Sequence, residues 1–154
     1  MLSLTGEYAI RAMVFLAQRQ EEWPIPGPRI AEQAGIPRKY LSAILADLVR
    51  AGLLEGTRGR SGGFRLCRPA TGISLAEVVA PFEPIHAARQ TCPFGDSICS
   101  DKDPCATHER WKGVKAAMNG FLGETTLQEV AVRRSADVKR SDTEGAEKER
   151  RRTR

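Results

Sequence analysis

Between residues 38 and 49 the apolar side chains Leu41, Ile44, Leu45, Leu48 and Val49 recur at the i, i+3, i+4, i+7 and i+8 spacing of one buried helix face. Only Gly35, Ile36 and Pro37 separate this run from a shorter one that begins at Pro28. Proline at the first position of a helix gives up an N–H that has no intrahelical partner, and glycine is the natural residue just past a helix end. The spacing therefore predicts helices over about Pro28 to Ala34 and Arg38 to Ala51, the second closed by Gly52. Two helices joined by so short a turn make a helix-turn-helix.

Beyond Gly52 the period changes. Leu53 and Leu54 lead into Glu55-Gly56-Thr57-Arg58-Gly59-Arg60-Ser61-Gly62-Gly63, and then apolar and other residues alternate through Phe64-Arg65-Leu66-Cys67. Alternation marks a half-exposed strand, so this stretch is expected to be a two-stranded hairpin with a glycine-rich, arginine-bearing tip. Placed directly after a helix-turn-helix, it is a wing. Cys67 is expected to be a small, partly buried side chain of its second strand.

Around this centre, Thr5 is expected to cap a first helix whose apolar positions are Tyr8, Ala9, Ala12, Met13, Phe15 and Leu16, ending before Pro24. Ser74 and Glu77 form a capping-box pattern for a short helix over about Leu75 to Ala80, stopped by Pro81 and Pro84. No period is visible from Glu83 to Pro104. Asp103 and Pro104 then start a long helix, expected over about Cys105 to Leu122 and ended by Gly123, with Cys105 and His108 on one face of its first turn. Along it Thr107, Trp111, Val114, Met118 and Phe121 alternate steps of four and three, the seam of a coiled-coil pair. Thr126 and Glu129 are placed to box one more helix, over about Leu127 to Arg133. The expected fold is mainly α with a small β-hairpin wing. A winged helix-turn-helix domain fills 1–82, a cysteine-rich loop 83–104, dimerisation and C-terminal helices 105–133, and a charged disordered tail 134–154.

Charge is distributed to match. Of the net +5 in this 154-residue chain, residues 38–68 alone hold seven basic side chains against Asp47 and Glu55. The segment from Arg134 onward holds eight basic and five acidic groups. A polyanion is the natural partner of such a patch. Arg38, Lys39, Tyr40 and Ser42 at the start of the recognition helix, with the small Ala43 and Ala46 behind them, are candidates to meet phosphates or base edges of double-stranded DNA. Arg58, Gly59 and Arg60 at the wing tip are candidates for an adjacent groove or the backbone. There is no apolar run of about 18 residues and no export signal, so a cytoplasmic rather than a membrane or secreted protein is expected.

Cys92, Cys99, Cys105 and His108 give the pattern C-x6-C-x5-C-x2-H. Without an export signal, clustered cysteines read as metal or cluster ligands before disulfides. Soft thiolates with an imidazole suit an iron-sulfur cluster or zinc, although gaps of five and six are wider than structural zinc knuckles. Redox-active thiols are the third possibility. A cluster would also order the 83–104 loop. His86 reads as a surface residue and Glu77 as a cap. No Ser/His/Asp set, phosphate loop or paired carboxylates stand in a catalytic context, so no enzyme is expected.

Four stretches resemble one known family: Thr5-Gly6-Glu7-Tyr8-Ala9-Ile10-Arg11-Ala12, Ile36-Pro37-Arg38-Lys39-Tyr40-Leu41, Ala51-Gly52-Leu53-Leu54 and Arg58-Gly59-Arg60-Ser61-Gly62-Gly63-Phe64-Arg65-Leu66. They are similar to the iron-sulfur winged helix-turn-helix transcriptional regulators that include IscR and NsrR, over about residues 2–132. The resemblance implies a homodimeric repressor that binds a palindromic operator and senses iron-sulfur status or redox stress through a 2Fe-2S cluster. Cys105-Ala106-Thr107-His108-Glu109-Arg110-Trp111 is similar to the stretch in which IscR proteins ligate the cluster with both cysteine and histidine. The implied ligands are Cys92, Cys99, Cys105 and His108. Glu7 stands where NsrR-like members supply a carboxylate from the partner subunit. A nitric-oxide-responsive NsrR-like repressor, and a zinc- or thiol-based regulator without the cluster, are the alternatives.

Overall fold

A computed structural model of the chain describes residues 2–83, Phe94 and 100–132. Helix α1 spans Leu4–Ala17, α2 Gly27–Gln33 and α3 Arg38–Arg50, followed by strands β1 (Leu54–Thr57) and β2 (Gly63–Leu66). Helix α4 covers Leu75–Val79 and α5 His108–Glu124, and a last helix, α6, is described over 127–132. The chain is a mainly helical winged helix-turn-helix protein, and no helix among the described residues is long and apolar enough to cross a membrane. The expected tail, 134–154, lies outside the described residues.

The helix-turn-helix is set by burial of one stripe. Ile30 and Ala31 of α2, Ile36 of the turn, and Leu41, Ile44, Leu45 and Leu48 of α3 are all buried, together with Met13 and Leu16 of α1. Gly35 and Gly52 end α2 and α3 with φ of 66° and 71°, the left-handed conformation a side chain disfavours. Val49, expected in the stripe, is 37% exposed. Eight residues on from Leu41 at about 100° each, it is rotated about 80° to the margin of the buried face.

In the wing, β1 and β2 pair antiparallel with Leu54 opposite Leu66 and Thr57 opposite Gly63. Ile25, before α2, joins the outer side of β2: its N–H donates to the Phe64 carbonyl at 3.0 Å and its carbonyl accepts from the Phe64 N–H at 2.9 Å. A side chain at Gly63 has no room there, because its Cβ would lie 2.5 Å from the Ile25 backbone. Cys67 is exposed, not partly buried. Leu66 faces the core, and successive side chains of an extended chain point to opposite sides.

Three other expectations change, the first being that Gly123 does not end the long helix, which runs through Glu124 to a C-cap at Thr125. Ser3, not Thr5, caps α1: its extended backbone lets Oγ accept from the Gly6 N–H at 3.1 Å. Helix α5 starts at His108, not Cys105, because the His108 N–H closes a turn onto the Cys105 carbonyl at 3.0 Å and Thr107 takes the N-cap position. Cys105 and His108 are thus the two ends of the turn that leads into α5.

Both capping boxes form. Ser74 Oγ accepts from the Glu77 N–H at 3.3 Å while Glu77 Oε2 accepts from the Ser74 N–H at 2.9 Å, and Thr126 and Glu129 repeat the exchange at 3.3 and 2.6 Å. The two boxes lie side by side, since the Leu75 N–H donates to Thr125 O at 3.0 Å and the Leu127 N–H to Ile73 O at 2.8 Å. This bridge returns the chain after α5 to the N-terminal core, where Leu127 and Ala131 are buried. Leu122 of α5 packs with Leu75 and Val79 in a smaller second cluster.

The close approach at Gly63 gives a direct test. Gly63→Ala should lower the unfolding free energy by about 2 kcal/mol, the scale of an overpacked backbone contact, measured by chemical denaturation. An unchanged midpoint would contradict the tight Ile25–Phe64 pairing.

Candidate nucleic-acid interface and cysteine segment

Arg38, Lys39, Tyr40 and Ser42 are all exposed on the first turns of α3, with Ala43 and Ala46 exposed beyond them. Burial of the opposite stripe leaves them no other side to face. Pro37 offers α3 no side-chain cap, so the positive end of the helix dipole is left to whatever approaches it. Arg58, Gly59 and Arg60 are exposed in the turn between β1 and β2, where Gly59 has φ of 108° and accepts from the Gly62 N–H at 3.0 Å.

The ion pairs divide the basic patch in two. Arg65 makes a two-pronged contact with Glu55 at 2.8 and 3.0 Å, Arg50 pairs with Asp47, and Arg68 pairs with Glu77. Glu77 is held below its ordinary pKa of 4.5, first by the Ser74 backbone N–H and also by Arg68. Arg38, Lys39, Arg58 and Arg60 make no ion pair among the described residues. Among the described residues no carboxylate neutralises their charge.

Sequence reasoning missed the contact that ties this surface to α1. The rings of Tyr8 and Tyr40 lie 6.2 Å apart, with Arg11 5.7 Å from the Tyr8 ring and Lys39 Nζ 4.7 Å from that of Tyr40. Tyr8 reads as one more apolar position of a helical period. Only its partner on another helix reveals a second role.

Among the described residues, the cysteine segment makes contacts at its near side, within it and at its far side. On the near side, Glu83 Oε1 accepts from the Ser3 N–H at 2.6 Å and lies against Gly6, where a Cβ would come within 2.6 Å of it. Within the segment, Phe94 meets Trp111 of α5 edge to face, with centroids 5.6 Å apart. On the far side, Asp101 Oδ1 lies 2.9 Å from His108 Nε2 and 2.8 Å from Lys112 Nζ. Lys112 and His108 together pull the Asp101 carboxyl down to about 2, and Lys112 is raised in return.

Of the candidate ligands, Cys105 and His108 are described and stand at the start of α5. Cys105 is exposed with its Sγ 3.4 Å from Thr107 Oγ1, whereas His108 is buried, 5% exposed. A thiol and an imidazole separated by one turn are a donor pair that suits a 2Fe-2S cluster. Cys92, Cys99 and His86 lie outside the described residues. Glu7 is exposed in the first turn of α1. Asp101, His108 and Glu109 also bring donor atoms within 4.8 Å of one another, but the Lys112 ammonium already sits on the same Asp101 oxygen.

Of the expected α5 seam, Val114, Met118 and Phe121 are 53%, 37% and 57% exposed, and only His108 and Leu122 of this helix are buried. Among the described residues, nothing covers this apolar face of the helix.

Comparison with known proteins agrees with this architecture. IscR of Klebsiella pneumoniae is 35% identical over 130 residues, 84% of this chain and 78% of that protein. The solved structure of T. potens IscR superposes with a TM-score of 0.67 at 29% identity, covering 88% of each chain. CymR, the global cysteine regulator of B. subtilis, superposes with a TM-score of 0.70 at 25% identity, covering 86% of this chain and 96% of its own. The family model described as Rrf2, iron-dependent transcriptional regulator, matches residues 2–133. The chain belongs to the Rrf2 family of transcriptional regulators and is a DNA-binding regulator rather than an enzyme.

Proposed function

We propose that this chain is a cytoplasmic, homodimeric repressor that reads a palindromic operator with Arg38, Lys39, Tyr40, Ser42, Arg58, Gly59 and Arg60. Its affinity is controlled by a 2Fe-2S cluster held by Cys92, Cys99, Cys105 and His108. The observation that carries the DNA assignment is the division of the basic patch: among the described residues, Arg38 and Lys39 at the start of the recognition helix and Arg58 and Arg60 at the wing tip are the patch cations without carboxylate partners, whereas Arg50, Arg65 and Arg68 are paired. Phosphate contacts from such groups position a protein on DNA, and base contacts from the helix add sequence preference. The uncovered face of α5 fits a second copy of the same helix, and two copies present two recognition helices to the two halves of a palindrome.

The cluster reading is supported by the Cys105–His108 pair, by the iron dependence in the family's description and by the likeness to IscR proteins. When bound, the cluster supplies a redox-sensitive centre that the cell can build, lose or damage. The chain's own residues do the rest. Glu83 ties the start of the cysteine segment to the N-terminus of α1, and Tyr8 of α1 touches Tyr40 of the recognition helix. A cluster that shifted Glu83 would thus act on the recognition helix through α1, and it would work as a switch to the extent that DNA binds one form more tightly than the other. A thiol-based regulator is the second reading, favoured by the exposed thiols of Cys67 and Cys105 and by the likeness to CymR.

Two measurements test these assignments. In fluorescence titrations with duplex DNA, Arg58→Ala and Arg60→Ala should each weaken binding and reduce the slope of log affinity against log salt by about 1. Arg65→Ala, which removes a side chain already paired with Glu55, should change it less; equal effects at all three sites would contradict the division. Anaerobic purification should give brown protein with stoichiometric iron and sulfide, lost in His108→Ala and retained in Glu7→Ala. Retention in the first and loss in the second would transfer the fourth ligand to Glu7, and colourless protein with redox-active thiols would favour the second reading.

A further inference from the structure

We propose that Asp101 is the positioning residue for His108, holding the ring through Nε2–H so that Nδ1 is the nitrogen that ligates the cluster. This rests on the cluster reading above. The contact joins unlike environments: the His108 side chain is 6% exposed, while Asp101 is 70% exposed. A buried imidazole has its rotation and tautomer set by what its nitrogens meet. The carboxylate has only lone pairs to offer, so the hydrogen in the 2.9 Å contact belongs to Nε2. In the neutral ring the other nitrogen then carries the lone pair that a metal takes.

Lys112 completes the arrangement. It lies one turn along α5 from His108 and donates to the same Asp101 oxygen at 2.8 Å, so two groups of one helix hold the carboxylate where it can steer the ring. The same ammonium argues against Asp101 as a ligand, because a metal cation at that oxygen would meet a positive charge already in place. Support of a ligating histidine by a carboxylate fixes the tautomer and raises the ring's basicity, and loss of such a partner typically costs about 10- to 100-fold in metal affinity. Asp101 fills an unspecified position between the second and third cysteines of the C-x6-C-x5-C-x2-H pattern, seven residues before the histidine, so no motif points to it.

The test labels histidine with nitrogen-15 at Nδ1 or at Nε2 and reads the reduced, full-length protein by pulsed electron paramagnetic resonance. Strong coupling is expected from the Nδ1 label and weak coupling from Nε2. Asp101→Ala should lose iron to a chelator roughly 10- to 100-fold faster than the parent. Asp101→Asn, whose amide oxygen still accepts from Nε2–H, should recover most of that difference. In chelator-treated parent protein, nitrogen-15 correlation spectra should show the proton of His108 on Nε2. Strong coupling from Nε2, a proton on Nδ1, or an unchanged rate in Asp101→Ala overturns the proposal. Brown protein with full iron and sulfide but no nitrogen coupling overturns it while leaving the iron-sulfur reading intact. Colourless protein without iron and sulfide overturns both.

Discussion

Burial of a single stripe along α3 organises the molecule. Leu41, Ile44, Leu45 and Leu48 turn inward against α1 and α2, and a helix so fixed can rotate no further without exposing them. At about 25 cal/mol per Å² of apolar surface, exposing even one of these side chains costs roughly 2 kcal/mol. The outward direction of Arg38, Lys39, Tyr40 and Ser42 is therefore a consequence of core packing. The wing inherits the same constraint, because Gly52 ends α3 in a conformation that sends the chain into β1, where Leu54 is again buried.

On that scaffold the charges are sorted by neighbourhood. Arg50, Arg65 and Arg68 have carboxylates within reach, whereas Arg38, Lys39, Arg58 and Arg60 occupy the helix start and the hairpin tip, where the sequence places no acid beside them. Exposed pairs add little stability. Their consequence is instead to leave the unneutralised charge of the 38–68 patch, among the described residues, at the start of α3 and the hairpin tip.

The elements legible in the sequence are those set by local physics. The α3 period, Gly35 and Gly52, and both capping boxes depend on local spacing, and each appears as expected except that Val49 falls at the exposed margin of the α3 stripe. Contacts between distant residues were not legible. Glu83 on Ser3, Tyr8 on Tyr40 and Asp101 on His108 have no period or fixed offset, and they join the cysteine segment, α1 and the recognition helix. The start of α5 differs from expectation for a related reason. Asp103 and Pro104 are good opening residues, yet the turn from Cys105 to His108 delays the helix by three residues. The basic patch was visible as composition, but its division into paired and unpaired groups required the fold.

Coupling between the cysteine segment and the proposed DNA surface is open to one direct measurement. Duplex fragments carrying palindromic sites selected by the protein itself are titrated with a single preparation, before and after anaerobic removal of bound iron, at fixed salt. The affinities of the two forms are expected to differ by roughly 10-fold or more, within the usual range of allosteric coupling, and by less in a Tyr8→Leu variant. Equal affinity of the two forms for every selected site would contradict the coupling.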